Sequence, residues 1–460
     1  MRRPSGAPTI SHPRCYNRFF MSGPTLRRTL GLWDLVFCGI ILIQPTAPMP
    51  NFGIIGQDAK GHIVTVILLA MVAVLFTAVS YGRMARAYPS AGSVFTYVGC
   101  EMHPTLGFLA GWGYMLSLLV GTLIGSIWCS KAMGNIWPAI PYAAWVLFFS
   151  VLFTGLNLRG IRASARTNEG LVVVMSVIIF WFFAAAIRYV LHHGANWSQP
   201  FYDPSTFSMS ALSKGTSLAV LTFIGFDGIA TLSEEAENPR RNILLATVFT
   251  CLLTGILATA QVYLGQLVWP DYRTYPDVDT AFVHVAGRAG GPALFHAINL
   301  TILLASIGSA MGAQLAGARL LYGMGRDAVI PKAFFGVVQA GRRIPQNSVL
   351  FIGAVALAGA FLMNYQLGAE LINFGALFGF MGVNAAAFVH YFLRGTEKSL
   401  ATFLPPVLGF AICFLLWINV GRTALIAGGV WLLAGLLVSA LKTSGFRIPM
   451  VLSEAPSEVE

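Results

Sequence analysis

Charged side chains are scarce in this chain. Asp, Glu, Lys and Arg make up 10% of the 460 residues, and hydrophobic residues make up 56%. A soluble globular domain carries roughly 25% charged residues. Apolar runs of about 20 residues, long enough for a membrane helix, recur along nearly the whole sequence. The composition therefore excludes a mainly soluble protein and predicts an integral membrane protein surrounded by a lipid bilayer.

Motifs of enzymatic chemistry are also missing. The six cysteines show no CxxC spacing, the histidines show no metal-ligand spacing, and there is neither a P-loop nor a GxSxG elbow. We therefore expect no enzymatic activity, no metal and no cofactor. The N-terminal segment lacks a short apolar run before a small-residue cleavage site, so we expect no cleaved signal peptide.

The apolar runs predict an all-α protein of about twelve transmembrane helices. An N-terminal tail precedes them and a short acidic segment ends the chain. The predicted spans are 31–56, 62–84, 94–130, 141–157, 167–191, 212–236, 242–268, 292–323, 347–364, 368–393, 402–420 and 423–441.

Lys and Arg are distributed unevenly between alternate loops. All but seven of the 29 basic residues fall in the two tails and in the loops on the same side as the tails. Because cytoplasmic loops are enriched in Lys and Arg, we expect a multi-pass protein of the plasma (inner) membrane with both termini in the cytoplasm. This asymmetry also accounts for the net charge of +11, so nucleic acid is not expected as a partner.

Two of the apolar segments are interrupted. Residues 44–51 of the first segment contain three prolines, and an interior proline costs a helix about 3 kcal/mol. In the sixth segment, Gly225 and Gly228 flank Asp227. Unwound backbone in a membrane must line a polar cavity, and paired interruptions in corresponding positions of two halves indicate a transporter binding site.

Asp227 is the one acidic residue near the middle of a predicted span. A charge at the centre of a membrane helix costs about 2.5–3.5 kcal/mol on insertion scales, so an intramembrane carboxylate is usually functional. The alternative is a protonated carboxyl that hydrogen-bonds to a neighbouring helix. We hypothesise that Asp227 pairs with a cationic group of the substrate or carries a coupling proton.

Several motifs resemble the amino acid–polyamine–organocation transporter superfamily across most of residues 30–441. They are Phe223–Asp227 with Ser233–Ile243, Tyr88–Tyr97, Gly111-Trp112 and Ala318–Asp327. The resemblance implies a LeuT-like five-plus-five inverted repeat with two extra helices, and access that alternates between the membrane faces. The implied organisation is a cytoplasmic tail (1–30), two repeats (31–191 and 212–393), two additional helices (402–441) and a second tail (442–460).

The resemblance also implies that substrate lies between the two interruptions. Asp227, Ser306 and Ser309 are the candidates for coupling, and whether the coupling ion is a proton or sodium stays open. Phe223 and Phe226 are expected to add cation–π attraction to a bound amine. The substrate-binding positions carried over by motif are Ile43, Gln44, Pro45, Thr46, Ala47, Thr222, Phe223, Ile224, Gly225, Phe226 and Asp227.

The first interruption departs from the pattern of the amino acid carriers. Those members usually have Gly-x-Gly, whose N–H groups hold the substrate carboxylate, whereas this chain reads Ile43-Gln44-Pro45, as the putrescine importers of the family also carry a proline. We predict a secondary transporter of a small cationic amine or polyamine such as putrescine. The alternative is a permease for a neutral or other amino acid, held through Gln44 and Thr46; the oligomeric state stays open.

Overall fold

The computed structural model describes residues 29–88, 93–159, 165–326, 329–338, 344–395 and 398–443. Within these ranges the regular structure is helical, apart from one isolated bridge between Leu30 and Ala236. Nine of the helical segments described are long and apolar enough to cross a membrane, and three shorter helices, at Leu32–Ile43, Tyr142–Leu158 and Gln346–Leu362, are also apolar. The prediction of an all-helical membrane protein is confirmed.

The helices are numbered in chain order. The first seven are α1 (Leu32–Ile43), α2 (Phe52–Asp58), α3 (Ile63–Ala87), α4 (Ser93–Glu101), α5 (Pro104–Gly134), α6 (Tyr142–Leu158) and α7 (Ala165–His193). The next five are α8 (Met209–Ala219), α9 (Gly228–Thr231), α10 (Pro239–Val268), α11 (Ala281–Arg326) and α12 (Lys332–Phe335). The last four are α13 (Gln346–Leu362), α14 (Tyr365–Phe388), α15 (Leu400–Ile418) and α16 (Arg422–Lys442).

The third predicted span, 94–130, is not one helix. The structure divides it into α4 and α5, because the His103 side chain accepts a hydrogen bond from the backbone N–H of Thr105 and Pro104 occupies the first turn. These are features of a helix N-terminus. At about 1.5 Å per residue, α4 is too short to cross a membrane.

The eighth predicted span, 292–323, is part of a longer element. Helix α11 starts at Ala281 and bends at Gly291, whose φ of 75° is non-helical, directly before Pro292. The membrane segment after the bend agrees with the predicted boundaries to within a few residues. The sequence missed the turns before Pro292 because proline and glycine there favoured a helix boundary.

Two groups of helices are prominent in the packing. Helix α10 packs along α3 and α1, whereas α5 packs along α11 and α13. Helix α14 contacts both groups through α3 and α5. We call the end where α5 starts the Glu101 side, and the end where α5 finishes the Lys131 side.

Candidate functional site

The first interruption separates α1 from α2. Helix α1 ends at Ile43, and Gln44 takes a left-handed φ of 72° before a run of turns leads to Phe52. The Pro45 carbonyl accepts a hydrogen bond from Gln261 Nε2 at 2.9 Å. Gln44 Nε2 donates to the Ala305 carbonyl at 3.0 Å. Hydrogen bonds therefore join the first interruption to α10 and to α11, which belong to different packing groups.

The second interruption separates α8 from α9. A 3₁₀ turn at Val220–Phe223 follows α8, Ile224 is extended, and Gly225 has a φ of 119°. A Cβ at Gly225 would lie 2.9 Å from the Leu42 carbonyl oxygen at the end of α1. Glycine is thus required both by the backbone conformation and by the close approach of the two interruptions.

Asp227 lies at the start of α9, where its side chain is 4% exposed. Its Oδ1 accepts a hydrogen bond from the backbone N–H of Gly225 at 3.2 Å, and the Tyr114 hydroxyl of α5 lies close enough to interact electrostatically with the same carboxylate. Residues 29–59 and 215–239 contain no Lys or Arg. These stretches around the two interruptions therefore supply no basic side chain for Asp227, and Lys214, earlier on α8, pairs with Asp58 instead.

Aromatic rings pack around the second interruption. Phe223 and Phe226 are fully buried. The Phe226 ring lies edge-on to Tyr81, with centroids 5.4 Å apart, and tilted against Phe380 at 5.1 Å. Neither Phe223 nor Phe226 has an exposed ring face here, and their cation–π contact with a bound amine stays a prediction. These rings fix the second interruption against α3 and α14.

Two buried hydroxyls near the site have no hydrogen-bond partner among the described residues. They belong to Thr222, within the second interruption, and to Tyr81, which packs against Phe226. Tyr81, Tyr114 and Gln261 were not predicted as site residues. Tyrosine and glutamine in an apolar helix give no sequence signal that separates a site position from a packing position, and only the crossing of the helices brings these residues to the interruptions.

The remaining predicted positions lie near the interruptions with different exposures. Ile43, Pro45 and Thr46 are buried, and Ala47 is half-buried. On α11, Ser306 is half-buried and Ser309 is exposed. The structure therefore brings these residues to one region, but Ser306 and Ser309 belong to a more open surface than Asp227.

Space beside the first interruption extends toward the Glu101 side. Gly308, Ser309 and Gly312 are exposed on α11, and a Cβ at Gly308 would lie 4.0 Å from Gln44 Nε2. On the Lys131 side, Phe52 packs against Phe282 with ring centroids 5.3 Å apart. The interruptions are thus more accessible from the Glu101 side.

The amino acid permease family model matches residues 49–445. The low-affinity putrescine importer PlaP of Escherichia coli (strain K12) is 33% identical over 92% of this chain and 96% of its own length. The branched-chain amino acid permease BcaP of Bacillus subtilis (strain 168) is 26% identical over 90% of this chain and 92% of its own. A methylthioribose transporter of the same Bacillus strain is 25% identical over 90% of this chain and 93% of its own.

The interrupted apolar helices and the buried carboxylate define a membrane transporter. The chain belongs to the amino acid permease family. This confirms the resemblance found in the sequence and the expectation that the protein is not an enzyme. It is a multi-pass membrane protein whose family and relatives are permeases of small molecules.

Proposed function

We propose that this protein is a secondary active transporter of a small cationic amine, with putrescine or a related diamine as substrate. The observation that carries the proposal is the buried Asp227 carboxylate beside two interruptions, with no Lys or Arg in residues 29–59 and 215–239. A buried charge requires a partner of opposite charge or full hydrogen bonding. An ammonium group of the substrate supplies that partner.

The first interruption offers little to a substrate carboxylate. Pro45 and Pro48 have no N–H to donate, and the Gln44 amide already donates to the Ala305 carbonyl. A carboxylate left without donors in a dry site costs several kcal/mol. These features favour a diamine over a zwitterionic amino acid. A neutral amino acid remains the second candidate because BcaP is related over nearly the full length.

Transport by alternating access fits the unequal exposure of the two sides. The surface at Gly308 and Ser309 is open beside the interruption, while Phe52 and Phe282 close the Lys131 side. We assign the Glu101 side to the cytoplasm because of the Lys and Arg bias of its loops. The proposal keeps the five-plus-five inverted repeat with two added helices as the architecture, and it leaves proton or sodium coupling to experiment.

Uptake by purified protein in proteoliposomes tests the substrate. Radiolabelled putrescine should accumulate with saturation and counterflow, and unlabelled putrescine should compete at a lower concentration than leucine or methylthioribose. Competition by leucine at the lower concentration would replace the amine with an amino acid as substrate. Transport driven in turn by a proton gradient and by a sodium gradient identifies the coupling ion.

The orientation has its own test. A single cysteine placed in the loop at 271–279 should react with a membrane-impermeant maleimide added outside intact cells. A cysteine in the 29–31 segment should react only after the membrane is opened. The reverse pattern would place the Glu101 side outside and contradict the assignment.

A further inference from the structure

A lysine on the Lys131 side is held by a carboxylate of the opposing interrupted helix. Lys214 of α8 places its Nζ 2.7 Å from Asp58 Oδ1 of α2. The Asp58 side chain is 11% exposed and that of Lys214 is 42% exposed. The ammonium group therefore reaches from the surface into a largely buried acidic position.

A second carboxylate lies beside this ion pair. Gln366 of α14 donates from Nε2 to Asp58 Oδ2 at 3.2 Å and to Glu370 Oε1 at 3.3 Å. Glu370 is close enough to interact electrostatically with both Lys214 and Asp58. Two carboxylates therefore share one lysine, and in their ionised form the cluster keeps an excess of negative charge.

Near these two carboxylates, the side-chain oxygen of Asn373 has no hydrogen-bond partner among the described residues. Asp58, Lys214, Glu370 and Asn373 line one narrow crevice between the helices. Asn373 is fully buried there. Its Nδ2 donates to the Leu218 carbonyl at 3.3 Å, but its Oδ1 has no hydrogen-bond partner among the described residues. A buried acceptor without a donor is costly, so this atom indicates a place for an N–H group.

The crevice lies where access from the Lys131 side must open. Helices α2 and α8 are the halves of the two interrupted helices on that side, and α14 closes against them through Gln366. With Lys214 in place the crevice is filled and has no room for a further ammonium group. A ligand can occupy it only after the lysine leaves.

We propose that Asp58, Glu370 and Asn373 form an outer amine site, and that Lys214 occupies it as a tethered substitute for a primary ammonium group. This proposal rests on the proposed transport of a cationic amine. An incoming ammonium displaces Lys214, pairs with the two carboxylates and donates to Asn373 Oδ1. The freed Lys214 no longer joins α8 to α2, so arrival of substrate and loosening of this side are linked.

The outer amine site should bind primary amines in preference to α-amino acids. An ammonium group of a diamine pairs with Asp58 and Glu370 at this site before the diamine moves on to Asp227. An α-amino acid brings a carboxylate that two ionised carboxylates repel. The outer amine site therefore selects primary amines before they reach the interruptions.

The test measures the initial rate of uptake against external putrescine concentration for three variants. Glu370→Gln should raise the half-saturating concentration about tenfold, the equivalent of about 1.4 kcal/mol, with little change in the maximal rate. Lys214→Met removes the competing ammonium and should lower that concentration about threefold. Lys60→Met, an exposed lysine on the same side, should behave as the wild type.

The outcomes separate this proposal from the proposed function. Wild-type protein without putrescine uptake contradicts amine transport itself, and the outer site with it. Normal wild-type uptake together with an unchanged half-saturating concentration in both Glu370→Gln and Lys214→Met overturns the outer amine site alone. Misfolding cannot lower the half-saturating putrescine concentration, so the decrease expected for Lys214→Met is a specific result. The melting temperature in detergent is measured for every variant.

Discussion

Gln261 of α10 donates a hydrogen bond to the carbonyl of Pro45 at 2.9 Å, across the space between two helices. Pro45 follows directly on the last turn of α1, and its carbonyl has lost the helical partner that an uninterrupted helix would provide. Gln261 is fully buried, so water cannot easily replace it. The Gln261 amide therefore satisfies the Pro45 carbonyl near the start of the first interruption.

Replacing Gln261 should therefore damage the site more than an ordinary substitution on α10. Gln261→Met keeps the volume but leaves the Pro45 carbonyl without a donor, at a cost of about 1–3 kcal/mol. We expect a lower melting temperature in detergent and slower uptake. Thr259→Ala is the matched control. The Thr259 hydroxyl donates a hydrogen bond to the Gly255 carbonyl within its own helix and to no other helix among the described residues. Equal melting temperatures for the two variants would contradict the role of Gln261.

The positions of the two interruptions could be predicted from the sequence. Three prolines in residues 44–51 and the glycines around Asp227 act through local backbone chemistry, which needs no knowledge of the rest of the fold. The apolar runs likewise predicted most helices, because a membrane span must be long and apolar. Local signals did not locate the helix end at Glu101–Pro104, which divides the long third span into two helices.

The partners of the interruptions could not be predicted. Tyr114 lies near Asp227, and Gln44 donates to the Ala305 carbonyl, only because distant helices cross beside them. A tyrosine or glutamine in a hydrophobic helix has the same local sequence whether it bonds a neighbour or fills space. The packing of Phe226 against Tyr81 and Phe380 was equally absent from the local sequence, and its contact with substrate stays a prediction.

Gly225 gives a test of the close approach between the interruptions. Gly225→Ala places a Cβ 2.9 Å from the Leu42 carbonyl oxygen, at a residue with a φ of 119°. Such a backbone conformation costs a non-glycine residue about 1–3 kcal/mol. We expect at least tenfold slower uptake with the protein still inserted in the membrane.

Gly323→Ala provides the control for the glycine test. A Cβ at Gly323 meets no atom within 4 Å, and the residue lies inside α11. Its uptake and melting temperature should match those of the wild type. Unchanged uptake by Gly225→Ala would show that the two interruptions separate freely during transport.

Glu101 predicts a pH dependence of stability. Burial alone raises its pKa, but hydrogen bonds from His390 and Tyr88 and the charge of Arg394 outweigh burial and lower the pKa from its usual value. His390 Nδ1 lies 2.6 Å from Oε1, and Arg394 Nη1 lies 2.9 Å from Oε2. The ionised carboxylate thus joins the end of α4 to the end of α14.

The sign of the effect follows from the lowered pKa. The stabilisation is fully present above the ordinary glutamate pKa of about 4.3 and is lost as pH falls through the lower folded value. At pH 7, Glu101→Gln should destabilise the protein by about 3 kcal/mol, as breaking a buried ion pair does. The difference in melting temperature from the wild type should shrink in acid. Glu237→Gln, at an exposed carboxylate, should show no comparable difference.

Asp227 is the decisive residue for the amine proposal. Asp227→Asn keeps the size and an acceptor for the Gly225 N–H but removes the charge that an ammonium would pair with. We expect uptake to fall at least a hundredfold, consistent with about 3 kcal/mol for a lost buried charge pair, while the melting temperature without ligand changes little. Putrescine should raise the melting temperature of the wild type but not of Asp227→Asn.

Tyr114→Phe distinguishes the role of the Asp227 charge in binding substrate from the role of the Tyr114 hydroxyl beside it. This variant removes the hydroxyl that lies beside the carboxylate and leaves the negative charge in place. We expect it to retain the thermal shift with putrescine and to lose less uptake than Asp227→Asn. If Asp227→Asn keeps both the shift and the uptake rate of the wild type, the carboxylate only supports the helix start and does not hold the substrate.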